Sequence, residues 1–467
     1  MSAGAFEAWC LPGGVDPPGL AEPSEGGESS FRLLAIDPDW LDGLIDALAN
    51  AREGLRGLGA AQLAKVLGQA GSRFMDDDDP LRQEALDRLP ATSGLSAEMC
   101  RTVLDGMAAN WSEGRLTTLL VDELGGPQPL DGFVDQGGPQ TMAVGARLCV
   151  QIASGSVPGV GVDALIRSLL TKAPTLLKPG LGDVVLPVLF ARALKEVDPS
   201  VAAGLAVVYW PGGDGALERT ALTRADLVTI YGSDETVRGL RALAPVTARL
   251  VVYHHRTSVG VVGRAALAAR VAGATASDIA NAVALFDQRG CVSPQVIWVE
   301  EGGEVTPSAF AAELAKALEA AEGALPGGRL TKEEASAVQQ LRGTAELMAA
   351  SGAGVDLHHG GVASWTVVLD PGGGLEASCI GRVVRVVPIA SASDLPGHLA
   401  PYAPHLQTVG VAGLGDRLGA LAEKLASVGV TRIAPFSAVP FPTASWHHDG
   451  GGPLRDLLRW VDLEGGS

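Results

Sequence analysis

From about residue 140 onward the sequence predicts an α/β fold, with a largely parallel sheet covered by helices on both faces. Short apolar runs alternate there with segments of helical period. Strands are expected over Leu148–Ile152, Thr175–Lys178, Ala206–Tyr209, Leu227–Tyr231, Leu250–Tyr253 and Val259–Val262, with helices such as Val184–Val197 and Glu235–Ala242 between them. A second strand–helix series begins after Cys291, with Val296–Val299, the helix Ser308–Glu322, Ser364–Leu369 and Val383–Pro388. Ala, Gly, Leu and Val dominate while aromatics make up 4% of the chain, a composition suited to helices packed closely on strands.

The 467 residues are enough for two or three domains with a large core. Residues 1–30 are rich in Gly, Pro, Glu and Ser and are expected to be poorly ordered. From Pro38 to about Phe74 the pattern is helical, with Leu41, Leu44, Ile45 and Leu48 on one face. The acidic run Asp76–Asp79 ends at Pro80 and reads as a solvated loop, because adjacent carboxylates on a loop cannot all converge on a cation. The expected layout is a tail over 1–30, helices and a first α/β domain over 31–288, a second α/β domain over 289–435, and a C-terminal segment over 436–467.

A net charge of −18 argues against nucleic acid and against anionic membrane surfaces as partners. The five cysteines are widely spaced and form no C-x-x-C, which suits reduced thiols in a cytosol. The start MSAGAFEAWCLPGG has neither the basic flank nor the apolar core of a secretory signal. No uncharged apolar run reaches the roughly 20 residues that span a bilayer. A soluble, cytoplasmic protein is expected.

Cys291 stands out among the thiols. It lies in FDQRGCVSPQVIWVE, between a helical stretch and a strand, with Gly290 before it and Ser293-Pro294 after it. A thiol at such a junction is presented at the end of an element, with the open backbone a nucleophile needs. The plainer reading is a chance cysteine in a loop. Further segments complete a pattern: SLLTKAPTLLKPG at 168–180, TIYGSDETVRGLR at 229–241, HLQTVGVAG at 405–413 and TRIAPFS at 431–437. Together with the Cys-Val-Ser-Pro-Gln step at 291–295, this ordered set resembles the bioluminescence-type fatty acyl-CoA reductases, the LuxC family, a branch of the aldehyde dehydrogenase superfamily. The resemblance covers roughly the last three-quarters of the chain.

The resemblance implies an aldehyde dehydrogenase-like fold, with a Rossmann-type cofactor domain and a smaller catalytic domain carrying Cys291. It also implies NADPH, or NADH, as cofactor. A dinucleotide needs donors at its phosphates and partners at its riboses. Gly159-Val-Gly161 follows a strand but lacks the third glycine of a full fingerprint. The resemblance places the adenosine ribose and nearby phosphate at Lys178-Pro179, and the pyrophosphate at Gly232-Ser233. On their own, Lys178 reads as a lysine ending a strand and Ser233 as a helix cap.

The chemistry implied is reduction of an acyl thioester, from acyl-CoA or a carrier, to an aldehyde through an acyl group on Cys291. The oxyanion would be met by the Cys291 N–H and by a side chain from the family's Gly-Asn-Val-Pro turn. This chain has Gly155-Ser156-Val157-Pro158, so Ser156 stands where the family has Asn. The superfamily's hydrolytic members carry a Glu base in the segment matching 250–263, and LVVYHHRTSVGVVG contains none. That absence fits a reductase better than a hydrolase. His254 and His255 read as polar residues of that strand segment, one of them able to face the site. The pairs His358-His359 and His447-His448 have no acidic or Cys partners at metal-ligand spacing. No G-x-S-x-G elbow supports a serine hydrolase. The alternatives are a CoA-acylating aldehyde dehydrogenase working in the oxidative direction and a non-redox acyl carrier or scaffold subunit. A partner acyl-protein synthetase and a homo-oligomeric state belong to the same expectation.

Overall fold

The computed structural model describes residues 5–21, 31–135, 137–361, 364–376 and 379–465. The chain forms two compact units. The first takes the described residues of 1–93, 104–254 and 443–467, and the second those of 94–103 and 255–442.

The first unit is built on a six-stranded sheet. Its chain order runs from β1 (Trp9–Cys10) through β3 (Cys149–Ile152), β4 (Thr175–Lys178), β5 (Leu205–Val208), β6 (Leu227–Tyr231) and β7 (Arg249–Tyr253), with β2 (Gln140–Gly145) lying outside it. The spatial order is β1-β5-β4-β3-β6-β7, parallel throughout except for β1 on β5. The strands β3 to β6 are buried at every position, which is why they read as continuous apolar runs. The chain winds outward from β3 to β5, then returns to β6 on the other side. The sheet therefore reverses between β3 and β6, and a crevice opens at the carboxyl ends of those strands.

Helix α1 (Pro38–Gly57) starts where Asp37 accepts a hydrogen bond from the Trp40 N–H at 2.8 Å and Pro38 presets the first turn. Its stripe of Leu41, Leu44, Ile45 and Leu48 packs into one core with Val150, Leu176, Val208 and Ile230 of the sheet. On the sheet run α2 (Val160–Leu170), α3 (Val185–Val197), α4 (Gly215–Thr223) and α5 (Asp234–Leu243).

The second unit holds a seven-stranded sheet of β8 (Thr257–Val262), β9 (Pro294–Glu300), β10 (Asp356–His359), β11 (Thr366–Leu369), β12 (Val383–Ile389), β13 (Leu406–Ala412) and β14 (Arg432–Pro435). Its order is β10-β11-β12-β9-β8-β13-β14, and only β10 runs antiparallel to its neighbour. One face is covered by α6 (Ala272–Ala284) and α7 (Pro307–Ala324), the other by a core that joins Leu395, Leu399, Leu421 and Leu425 to Val296 and Trp298. A further strand, β15 (Leu458–Leu463), pairs antiparallel with β2 in a two-stranded ribbon of the first unit.

Three expectations are corrected. Within 1–30, β1 pairs with β5 and Trp9 and Leu11 are buried, so 5–21 is not a loose tail; apolar contact outweighs the Gly/Pro-rich composition. Residues 1–4 and 22–30 lie outside the described residues. The boundary falls between His254 and His255 and not near 288, because β8 pairs on both sides inside the second sheet, Val259 with Val296 and with Val409. The segment 436–467 is divided, with Thr443 onward in the first unit. The acidic run is spread by its neighbours: Arg73 binds Asp79 at 2.7 Å and Arg82 binds Asp77 at 3.0 Å. Among the described residues no helix is long and apolar enough to cross a membrane.

In the second sheet, Gly260 and Gly410 leave room for the Phe436 ring. A Cβ on either would lie 2.5–2.6 Å from its carbons. Gly410→Ala is expected to destabilise the protein by about 1–3 kcal/mol through overpacking, read as a lower denaturant midpoint with an unchanged slope.

Candidate active site

Cys291 is presented by a strained turn. After α6, Phe286, Asp287 and Gln288 take φ values of 60°, 49° and 63°. Each left-handed residue without a glycine costs roughly 1–2 kcal/mol, so the turn needs strong anchors. Asp287 is buried and binds Arg382 at 2.7 Å and the Gly328 N–H at 2.9 Å. Arg382 is itself left-handed and also binds Glu322 at 2.7 Å. The Gln288 amide donates to the carbonyls of Pro294 and Val383, and accepts from the Val383 N–H at 2.8 Å. It thereby ties the turn to the first residues of β9 and β12.

The chain then reaches Cys291 through Gly290, and the Ser293 N–H closes a turn on the Gly290 carbonyl at 2.9 Å. The Ser258 hydroxyl donates to the Cys291 carbonyl at 2.6 Å while accepting from the Thr408 N–H at 3.1 Å. Cys291 is the exposed thiol among the five. Cys149, buried in β3, is pushed up to about 12 by desolvation, and burial also raises Cys10 and Cys379.

Arg432 lies in TRIAPFS at 431–437, with no local feature that marks it as functional. It opens β14 in register with Thr408. Its guanidinium donates to the carbonyls of Val439, at 2.8 Å, and Ala438. Burial pulls its pKa down to about 10, and the negative charge of the Cys291 thiolate opposes that fall. The arginine thus stays charged at neutral pH and favours the thiolate. Only strand pairing brings it to the cysteine, so no local signal marked it.

In the first unit the crevice edge carries the remaining expected residues. Lys178 ends β4, buried, with Nζ 5.7 Å from the Tyr209 ring centre. Desolvation lowers its pKa and the Glu218 carboxylate opposes this. Gly232 donates its N–H to the Tyr253 carbonyl at 3.2 Å, and a Cβ there would meet Thr236 at 3.1 Å. Ser233 caps α5, accepting from the Thr236 N–H at 3.2 Å. The first turn of α5 also carries Asp234 and Glu235, which oppose an anion there, so Lys178 is the cation this edge offers.

Ser156 lies in an exposed loop after β3. Its neighbour Gly155 interlocks with the loop after β4: a Cβ on Gly155, Gly180 or Gly182 would come within 2.3–2.7 Å of backbone across the contact. Behind it, the N–H groups of Gly159 and Gly161 both donate to Asp183, each at 2.8 Å. The protein's own carboxylate therefore takes the α2 N-terminus that a Gly-x-Gly phosphate site would use. Burial pushes Asp183 up to about 8, against those two bonds and with the nearby Asp163 adding to the rise.

The histidines are placed differently from expectation. His254 and His255 lie between β7 and β8, not on a strand, so strand alternation does not select between them. His254 Nδ1 is 3.6 Å from Asp234. His448 is sandwiched between Tyr253 at 4.3 Å and Trp446 at 4.4 Å, and Tyr231 stacks on Tyr253 at 4.5 Å. The aromatic and histidine content of SWHHDG was the available signal. His358 and His359 sit on the edge strand β10, where His358 is 3.3 Å from Asp356.

Residues 60–460 match the family model described as acyl-CoA reductase (LuxC). A long-chain acyl-protein thioester reductase of Aliivibrio fischeri is 25% identical over 418 residues, spanning 86% of this chain and 82% of the relative. One from Photorhabdus laumondii is 22% identical, spanning 94% and 88%. Among solved structures, a putative methylmalonate-semialdehyde dehydrogenase from Sinorhizobium meliloti, complexed with NAD, aligns with a TM-score of 0.71 at 16% identity, covering 99% of this chain and 98% of the other. The putative aldehyde dehydrogenase PutA from Anabaena variabilis aligns at 0.67 and 18% identity, covering 94% and 97%. At such identities the structural likeness establishes the fold, which is aldehyde dehydrogenase-like.

Two measurements test the local electrostatics. Alkylation of Cys291 by iodoacetamide, followed by peptide mass, should slow roughly tenfold at neutral pH in Arg432→Gln. Arg432→Lys should recover most of the rate. An unchanged rate in Arg432→Gln removes the arginine from the thiol's surroundings. For Asp183, the folded state holds a proton from about pH 3.8 to about 8 that the unfolded chain releases. Its stabilising contribution is therefore full below the unfolded value and is lost as pH rises toward about 8, by at most about 1.4 kcal/mol per pH unit. Denaturant midpoints from pH 4 to pH 8 should show this decline in wild type relative to Asp183→Asn; parallel profiles contradict it.

Proposed function

Since the chain belongs to the acyl-CoA reductase (LuxC) family, we propose that it reduces a long-chain acyl thioester to an aldehyde through an acyl group carried on Cys291. The observation that carries this reading is the exposed thiol on an anchored turn, with the Arg432 guanidinium biasing it toward thiolate. The names of the relatives point to a long-chain acyl group presented by a protein. Acyl-CoA and a carrier-bound acyl group offer the same thioester.

The Cys291 sulfur attacks the thioester carbonyl. The bond to the donor sulfur breaks, the donor leaves as a thiolate, and the acyl group remains on Cys291. The Cys291 N–H and the Ser156 hydroxyl are the donors assigned to the oxyanion. Ser258 holds the Cys291 carbonyl and so fixes the peptide that follows the thiol. Lys178, Gly232 and Ser233 would hold a dinucleotide: the buried ammonium would supply the positive charge at a ribose or phosphate, the glycine would allow close backbone approach, and the Ser233 hydroxyl would meet the pyrophosphate. When bound, NADPH supplies the hydride that reduces the acyl-cysteine. The resulting thiohemiacetal collapses to aldehyde and returns the Cys291 thiolate. No Glu lies between 250 and 263 to activate water, so the acyl-cysteine is spared hydrolysis.

Intact-mass measurement after mixing with a panel of acyl thioesters, followed by NADPH and aldehyde trapping, tests the proposal. Wild type should gain one acyl group and lose it as aldehyde. Cys291→Ala should do neither while keeping its melting temperature. Equal acylation of the two proteins overturns the assignment, and acylation without aldehyde would leave only an acyl carrier.

A further inference from the structure

We propose a second ligand site in the first unit, an anion-binding cleft at the amino ends of β3, β6 and β7 that takes a nucleotide-type organic phosphate. The cleft encloses about 730 Å³, within the range of small-molecule sites. Leu227 and Leu457 lie in its wall. Its charged lining is Arg52 of α1, Arg147, Arg249 and Arg459, against the single carboxylate of Asp226, and Trp460 of β15 completes it. Four guanidinium groups in one cleft are conspicuous in a chain of net charge −18.

The existing partners meet only part of this charge. Asp226 is taken by Arg147, whose Nε donates to it at 2.7 Å and whose backbone N–H does so at 2.9 Å, and it also feels the charge of Arg52. Arg249 donates to the Leu458 carbonyl and lies 3.8 Å from Asp456. Arg52 lies 3.9 Å from Glu53, and its Nε is buried without a hydrogen-bond partner. No ion pair or hydrogen bond among the described residues engages Arg459. A buried donor left unpaired is costly, a cost that a phosphate oxygen would recover, and arginine forks match phosphate geometry. The half-exposed Trp460 ring offers a stacking face for a base.

This cleft is separate from the crevice edge that carries Lys178 and Gly232. Arg147, Asp226 and Arg249 stand at the starts of parallel strands, whereas Lys178 and Gly232 stand at the ends. Four or five residues of strand separate the two edges by about 15 Å. The site does not rest on the acyl-transfer reading. Its phosphate chemistry could come from a free nucleotide or from the phosphoadenosine end of a CoA thioester.

Calorimetric titration of the full chain with ADP, CoA and inorganic pyrophosphate tests it. Wild type should bind, and the Arg52→Ala, Arg459→Ala double variant should lose that class of site or weaken at least tenfold. The Arg52→Lys, Arg459→Lys variant, which keeps the charge, should retain binding within a few-fold and report that the fold is intact. Trp460→Ala should weaken ADP and CoA but not pyrophosphate. CoA binding tenfold tighter than ADP assigns the site to the CoA tail; equal binding assigns it to free nucleotide. Absence of binding by all three probes to wild type, or identical isotherms for wild type and the double alanine variant, overturns the proposal.

Discussion

The ion pair between Asp287 and Arg382 is the constraint on which the turn before Cys291 depends. Burying two charges costs several kcal/mol in desolvation, and geometry repays this only when the remaining lone pairs and protons are also satisfied. Here the Gly328 N–H meets the acid and Glu322 meets the arginine's Nη1, while Nη2 has the ion-pair contact with Asp287 alone. Three successive left-handed residues, none of them glycine, persist because this pair and the Gln288 amide over-determine them. Backbone strain is thereby placed immediately before the one exposed thiol.

The first unit uses a buried acid in a comparable way. Asp183 closes the α2 N-terminus, and the glycine contact between 155 and 180–182 locks the loop after β3 to the loop after β4. Ser156 therefore rides on a support shared with Lys178-Pro179. The backbone beneath its exposed hydroxyl is thus fixed by close glycine contacts. The glycines of Gly159-Val-Gly161 serve packing and an internal cap, which explains how a fragment of a dinucleotide fingerprint can occur without binding phosphate.

Charge in this protein is organised locally against its overall sign. The chain is strongly acidic, yet Arg432, whose guanidinium donates to the Val439 and Ala438 carbonyls, is electrostatically coupled to Cys291.

The sequence by itself determined the α/β class and most strands of both sheets, and it marked Cys291 at a turn between a helix and a strand. Thr175–Lys178 and Leu227–Tyr231 were legible to the residue, because strands buried on both faces must be short, continuous and apolar. The ordered motifs marked the LuxC family for a similar reason: turns that present reactive groups tolerate few residue types. Tertiary structure decided what depends on partners distant in sequence. The unit boundary at 254/255 follows from β8 pairing with β9 and β13, and the order of 5–21 from β1 pairing with β5. Arg432 reaches Cys291 across the register of β14 and β13, and His448 joins Tyr231 and Tyr253 only because the chain after Thr443 rejoins the first unit. Local periodicity records which face of an element is buried, but it carries no information on which remote element does the burying.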